Sequence, residues 1–173
     1  MKPYNIIVAT KKDAPNLTEI FINHLKSNPE YISHGELQMG VGCITKEEGI
    51  VKIGLSRRAE QIWESYITEK IESANSDVLK VEENGKIIAF CVVDTEEDGD
   101  KPFGMLCDII VLPKFRGTGV GTVLFNSAIS WFKEEGLENI YLESGLNNHS
   151  AHEFFEKRGF KKISSIFKYS ESV

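Results

Sequence analysis

One stretch, Ile109-Ile110-Val111-Leu112-Pro113-Lys114-Phe115-Arg116-Gly117-Thr118-Gly119-Val120-Gly121, constrains the fold more than any other. An apolar run with strand character meets a proline, passes through a turn with glycines at 117, 119 and 121, and opens a helix over about 119–135. Glycines there remove side chains where the backbone would have to touch a ligand. The first N–H groups of the helix have no internal partners and lie at the positive end of its dipole. Such a turn suits an anion, a diphosphate above all. The spacing excludes two other phosphate motifs. The third glycine comes one residue too early for Gly-x-Gly-x-x-Gly, and no Lys follows as in Gly-x-x-x-x-Gly-Lys-Ser/Thr. The glycines alone fit a tight strand-to-helix turn that binds nothing equally well.

The rest of the chain supplies a scaffold for that turn. A short strand over 6–9 precedes a helix capped by Asp13, with Leu17, Ile20, Phe21, His24 and Leu25 at helical spacing. Residues 30–55 are glycine-rich and hold a hairpin of 43–45 and 50–53. A helix over about 56–74 follows, with Ala59, Ile62, Trp63, Tyr66, Ile67 and Ile71 on one face. Asn84-Gly85 between 78–82 and 87–93 is a strong hairpin signal, after which 94–100 reads as an acidic loop. A strand over 105–111, the glycine turn and its helix, and a strand over 139–143 come next. Ser150 and Glu153 form a capping box for a short helix ending at Gly159, and 160–169 reads as a closing strand. This order predicts an α/β (mixed α+β) domain, a mixed sheet with helices on its faces.

Composition narrows the function classes. At 173 residues the chain fits one domain, 1–173, without a visible linker. A net charge of −6 gives no general basic field for phosphate backbones, so nucleic acid is not expected as a partner. The longest apolar run, 87–93, is seven residues, far short of the roughly 18 that span a bilayer. No signal peptide is visible, and Cys43, Cys91 and Cys107 suit neither a disulfide framework nor a metal site. The expectation is a cytoplasmic, soluble protein with no metal and no membrane partner.

Arg116-x-x-Gly119-x-Gly121, after a strand and Pro113 and before an amphipathic helix, resembles the acyl-CoA motif of the GNAT superfamily of N-acetyltransferases. Leu142-Glu143-Ser144, Asn148, Ala151 and Glu156-Lys157-Arg158-Gly159-Phe160 resemble a second segment of that family. The resemblance implies a GNAT fold: a central, mixed, splayed sheet of about six or seven strands with about four helices, its acyl-CoA-binding core over 104–160. It implies acetyl-CoA as acyl-donor cosubstrate and a primary amine of a small molecule or peptide as acceptor. By the same resemblance, the backbone of Ile109, Ile110 and Val111 pairs with the pantetheine arm. Arg116, Gly117, Thr118, Gly119, Val120 and Gly121 bind the diphosphate, and Asn148 contacts the CoA arm.

An alkyl amine with a pKa of about 10.4 costs about 4–5 kcal/mol to deprotonate at pH 7, so a carboxylate base is wanted. Glu143 stands where some ribosomal-protein acetyltransferases of the superfamily keep their base. Asp108 stands where polyamine acetyltransferases resemble it with a substrate-binding acid. Segment 30–55 occupies the variable acceptor side, with Tyr31 and Glu36, and beside them His34 and Met39, as candidate substrate contacts. One departure matters: Phe155 occupies the position where the family often has a tyrosine acid. Tyr141, Tyr169, Ser144 or a water could replace it, since a thiol with a pKa of about 8.5 leaves as thiolate at little cost. The alternative is a non-catalytic CoA-binding or regulatory domain of the same fold. The sequence leaves monomer and homodimer open.

Overall fold

Residues 87–93 read as a continuous apolar run because the strand they form is covered on both faces. The computed structural model describes residues 4–47, 50–98 and 101–169. Its main sheet has five strands in the order β1 (Ile6–Val8), β4 (Ser76–Glu83), β5 (Lys86–Asp98), β6 (Lys101–Val111) and β7 (Ile140–Tyr141). Only the β6–β7 pair is parallel; the others are antiparallel. A separate hairpin pairs β2 (Gly42–Glu47) with β3 (Ile50–Leu55). On one face of the sheet, α1 (Ala14–Ser27) and α3 (Ala59–Glu72) bury Leu17, Phe21, Trp63 and Ile67 against Val78, Phe90 and Val92. On the other, α4 (Val120–Glu134) buries Leu124, Phe125, Ala128 and Phe132 against Cys91, Val93 and Leu106, with Phe155 of α5 (His149–Glu156) beside them. Phe90 and Cys91 thus point into opposite cores.

The hairpin signal at Asn84-Gly85 holds: both residues have positive φ, 52° and 73°, the backbone that two-residue turns between twisted strands require. The fold has the expected mixed class, though the seven strands among the described residues are divided between two sheets and the helices number five. Three expectations are corrected. The acidic run is not a loop up to Asp98; β5 continues through it, and Asp94 is 6% exposed because it pairs with Lys70 of α3. Asp100 lies outside the described residues. Helix α5 begins at His149 with Asn148 as its cap, Oδ1 accepting from the Ala151 N–H, so Ser150 and Glu153 are not the capping pair. Among the described residues, 160–169 form no strand.

A glycine inside β6 is required by the helix above it. A Cβ on Gly104 would lie 2.5 Å from a ring carbon of the fully buried Phe132. The missing side chain lets α4 settle on the sheet and so fixes the glycine turn that precedes it. Gly104→Ala should lower stability by about 1–3 kcal/mol, the usual range for overpacking. Chemical denaturation measures this, and an unchanged midpoint would show that Phe132 moves freely.

Candidate active site

Strands β6 and β7 pair at only two positions, Gly104 with Ile140 and Met105 with Tyr141. Beyond them the strands part. A bulge marks the place: Leu106 lies opposite Val93 and Asp108 opposite Val92, which leaves Cys107 as an extra residue on β6. Such a bulge bends its strand and re-aims the side chains after it. The opening is a cleft of about 90 Å³ lined from one side by Cys107, Asp108, Ile109 and Ile110, and from the other by Leu142, Glu143 and Ser144. Asn148 and Phe155 line it from the α5 side. Tyr31, Ser33 and Glu36 close it from the glycine-rich segment before β2.

That segment contains a helix the sequence reading passed over, α2 (His34–Met39), which carries its own capping box. Glu36 Oε2 accepts from the Ser33 N–H at 2.6 Å and from the Ser33 hydroxyl. The signal, Ser33-x-x-Glu36, was present in the sequence. The Gly35 N–H of this helix donates to Glu143 Oε1 at 3.0 Å. Glu143 therefore ties the strand side of the cleft to α2, and its carboxylate is partly committed to that helix's N-terminus. His34 and Met39 do not line the cleft, whereas Tyr31 and Glu36 do.

Asp108 has different surroundings. Burial and the neighbouring charge of Glu36 push its carboxyl up to about 7, against the Tyr66 hydroxyl, which donates to Oδ2 at 3.2 Å, and the Lys70 ammonium. Tyr66 itself is raised well above its ordinary value, first by burial and then by Asp108, so it stays a neutral donor. Sequence reading placed Tyr66 on a core face and missed this role. The usable signal is that a tyrosine hydroxyl sent into a core needs a partner. The Cys107 thiol is pushed up to about 12 by burial and by Asp108, which makes it inert rather than nucleophilic. His24, which the sequence places at helical spacing among the apolar residues of α1, also lines the cleft, its pKa lowered by burial and by Arg116.

At the far end of β6 the glycine turn takes the expected form. Gly117 and Gly119 have φ of 76° and 94°, and Gly119 caps α4. The Thr118 N–H and hydroxyl both bond the Phe115 carbonyl, at 3.4 and 2.7 Å, so this residue closes the turn from within. The N–H groups of Gly117, Gly119, Val120 and Gly121 have no acceptor among the described residues. They form an anion cradle of the kind a diphosphate fits. Arg116 Nε donates to the Val111 carbonyl at 3.1 Å and leaves the rest of its exposed guanidinium at the rim. Arg158, not anticipated, reaches from the end of α5 to Thr122 Oγ1 at 2.7 Å and lies 3.5 Å from the Phe154 ring centroid. It locks α5 onto the first turn of α4. Among the described residues no group of three or more His, Cys, Asp and Glu is placed to hold a metal ion, and no helix is long and apolar enough to cross a membrane.

The family model for the acetyltransferase (GNAT) family matches residues 52–160, and the chain belongs to that family. Among curated relatives, the [ribosomal protein bS18]-alanine N-acetyltransferase of Haemophilus influenzae is 35% identical over 85 residues, 49% of this chain and 55% of that protein. An uncharacterized N-acetyltransferase of Methanocaldococcus jannaschii is 34% identical over 84 residues, 47% of this chain and 37% of that protein. The chain thus spans about half the length of the curated relatives it matches. Among solved structures, an aminoglycoside 6'-N-acetyltransferase from Acinetobacter haemolyticus matches with a TM-score of 0.63 at 17% identity, covering 98% of this chain and 99% of that one. A predicted acetyltransferase from Clostridium acetobutylicum, solved with acetyl-CoA, matches at 0.69 and 18% identity over 97% and 96% of the two chains. At such identities these likenesses establish the fold.

Two outcomes follow from the site. Gly119→Glu should abolish acetyl-CoA binding in calorimetry, while Gly119→Ala, which brings the backbone strain without the charge, should weaken it less; equal binding by wild type and the glutamate variant would empty the cradle of its role. The second concerns stability. Because the fold raises the Asp108 value from 3.8 to about 7, ionised Asp108 is a liability that is absent near pH 4 and fully present above pH 7. Asp108→Asn should therefore be more stable than wild type at pH 8, by about 2–4 kcal/mol at 1.36 kcal/mol per unit, with the gain vanishing toward pH 4. Denaturation at both pH values checks it.

Proposed function

We propose that this chain is an acetyl-CoA-dependent N-acetyltransferase acting on a cationic primary amine, with Asp108 as the proton acceptor. The observation that carries the reading is the pairing, in one cleft between parting strands, of a carboxyl poised near neutrality with a second carboxylate, Glu36. A base matched to the working pH transfers protons best, and a desolvated acid beside a second negative charge favours an ammonium ligand.

Acetyl-CoA as cosubstrate supplies the acetyl thioester: the acceptor nitrogen forms the new C–N bond as the C–S bond breaks and the thiolate leaves. The N–H groups of Gly117, Gly119, Val120 and Gly121 hold its diphosphate, and the backbone of Ile109 to Val111, which lacks a strand partner on the cleft side, takes its arm. Asn148 lies at the edge of that arm's path. Tyr31 and Glu36 orient the amine, and ionised Asp108 takes its proton, with the Tyr66 hydroxyl steadying the carboxylate. Glu143 holds the acceptor wall in place through Gly35. Ser144, which lines the cleft, is the hydroxyl placed to assist the departing thiolate; Tyr169 is exposed and Tyr141 does not line the cleft.

A thiol-release assay with acetyl-CoA and a panel of amines, run across pH, tests the reading. Activity should rise with pH through about 7, because the reactive form of Asp108 is the carboxylate. Asp108→Asn should lose that limb and about 10²–10⁴-fold in turnover, the range for a general base; Glu143→Gln should lose less. Wild-type turnover by Asp108→Asn would remove Asp108 from the chemistry. A second reading, a regulatory domain that binds CoA without turnover, rests on Phe155, which puts a buried ring where a hydroxyl donor would otherwise face the cleft. Acetyl-CoA binding with no thiol release from any amine would select it.

A further inference from the structure

Between Arg116 and Val120 the glycine turn carries one side chain, that of Thr118. Gly117 and Gly119 on either side of it have positive φ, and a Cβ on Gly117 would meet nothing within 4 Å. Glycine backbone has more conformational freedom to lose on ordering than any other. A ligand that needs such a turn in one shape must meet that ordering cost from its own binding, unless the protein has fixed the shape beforehand. On one side Arg116 is tied to the Val111 carbonyl, and on the other Val120 is fully buried. Whatever fixes the glycines between them acts through Thr118.

Thr118 is gripped from a distant part of the chain. The Tyr4 hydroxyl donates to Thr118 Oγ1 at 2.8 Å, across 114 positions of sequence. Thr118 Oγ1 in turn donates to the Phe115 carbonyl at 2.7 Å. A hydroxyl has a single proton, so with that of Thr118 given to Phe115, Tyr4 is the donor of the pair. Two hydroxyls in series polarise one another in the same direction. Tyr4 reaches the turn because it lies two residues before Ile6. Both pack on the core that α4 covers, as side chains two apart in an extended segment do. β1 is itself fixed by its pairing with β4, Ile6 opposite Val81. The hold on the turn thus comes from the end of the sheet opposite β7.

We propose that Tyr4 is a positioning residue for the acyl donor: through Thr118 it holds the backbone of Gly117 to Gly119 in its binding shape before the diphosphate arrives. The inference rests on the reading that this turn holds the diphosphate of acetyl-CoA. Removing the Tyr4 hydroxyl leaves the N–H groups of Gly117, Gly119, Val120 and Gly121 in the chain and takes away only what fixes their arrangement. The loss falls on affinity for the donor and not on the transfer step, because Asp108 belongs to the bulge at the other end of the cleft.

A double-mutant cycle read by calorimetry of acetyl-CoA binding tests this. Tyr4→Phe keeps the ring and should bind about 3–10-fold more weakly, the worth of one hydrogen bond, with the denaturation midpoint kept. In a Thr118→Val background the same change should have no effect, because its acceptor is already gone. In the unliganded protein, the amide order parameters of Gly117 and Gly119 should fall in Tyr4→Phe. In turnover, that variant should raise KM for acetyl-CoA by the same factor and leave kcat as it was. Gly119→Glu is the control on the turn: if it binds acetyl-CoA as wild type does, the reading of the turn has failed and the inference falls with it. Where Gly119→Glu abolishes binding, three results overturn the inference alone. They are wild-type affinity in Tyr4→Phe, unchanged order parameters, and a loss of equal size in the Thr118→Val background.

Discussion

Beyond Met105, the backbone of β6 hydrogen-bonds to β5 on one side and, among the described residues, to no strand on the other. Backbone N–H and C=O groups do not stay unpaired in a folded protein without a partner of some kind, so the parting of β6 and β7 is a demand for one. Everything else in the site meets that demand or creates it. The bulge at Cys107 turns β6, Gly104 lets α4 lie close enough to hold it, and Arg116 ties the end of the strand to the turn through the Val111 carbonyl. An extended ligand with amide groups of its own suits the gap, and an anionic end suits the row of free N–H groups beyond.

The two ends of this gap are stabilised by opposite means. At the turn, atoms have been removed: glycines leave backbone bare, and the Thr118 hydroxyl bonds inward to the Phe115 carbonyl while accepting from the Tyr4 hydroxyl. At the bulge, groups have been added until a carboxyl is crowded by protein and by another acid. The fold tolerates an acid whose ionisation it opposes because Tyr66 and Lys70 offset part of the cost. A carboxyl held near neutrality at some cost in stability is the kind of perturbed group that clusters at functional sites.

Local chemistry was legible in the sequence where a short pattern has only one structural solution. Asn84-Gly85 and the strand–glycine–helix turn are of this kind, and so is the apolar run of β5 once both faces are covered. Legibility failed where meaning depends on a distant partner. The acids at 94–98 look like a solvated tip, yet Asp94 is buried because Lys70 arrives from α3. Tyr66 looks like core until Asp108 is placed beside it. Asn148 was read as a ligand contact through family resemblance, and in the structure its side chain caps α5. The helix α2 was illegible for another reason: Gly35 within it and Gly40 just after it give the segment the composition of a turn, which masks the Ser33-x-x-Glu36 cap.

One close approach has a wider consequence. A Cβ on Gly145 would fall 2.3 Å from the carbonyl oxygen of Tyr31, so the loop after β7 and the wall bearing α2 touch backbone to backbone. The width of the cleft is thereby set by an atom that is missing rather than by any that is present. The wall that carries Tyr31, Ser33 and Glu36 can exchange its side chains, provided this single contact is kept. Side-chain lining and gauge are in that sense separately adjustable, since the residues that face the cleft can change without disturbing the spacing of its two walls.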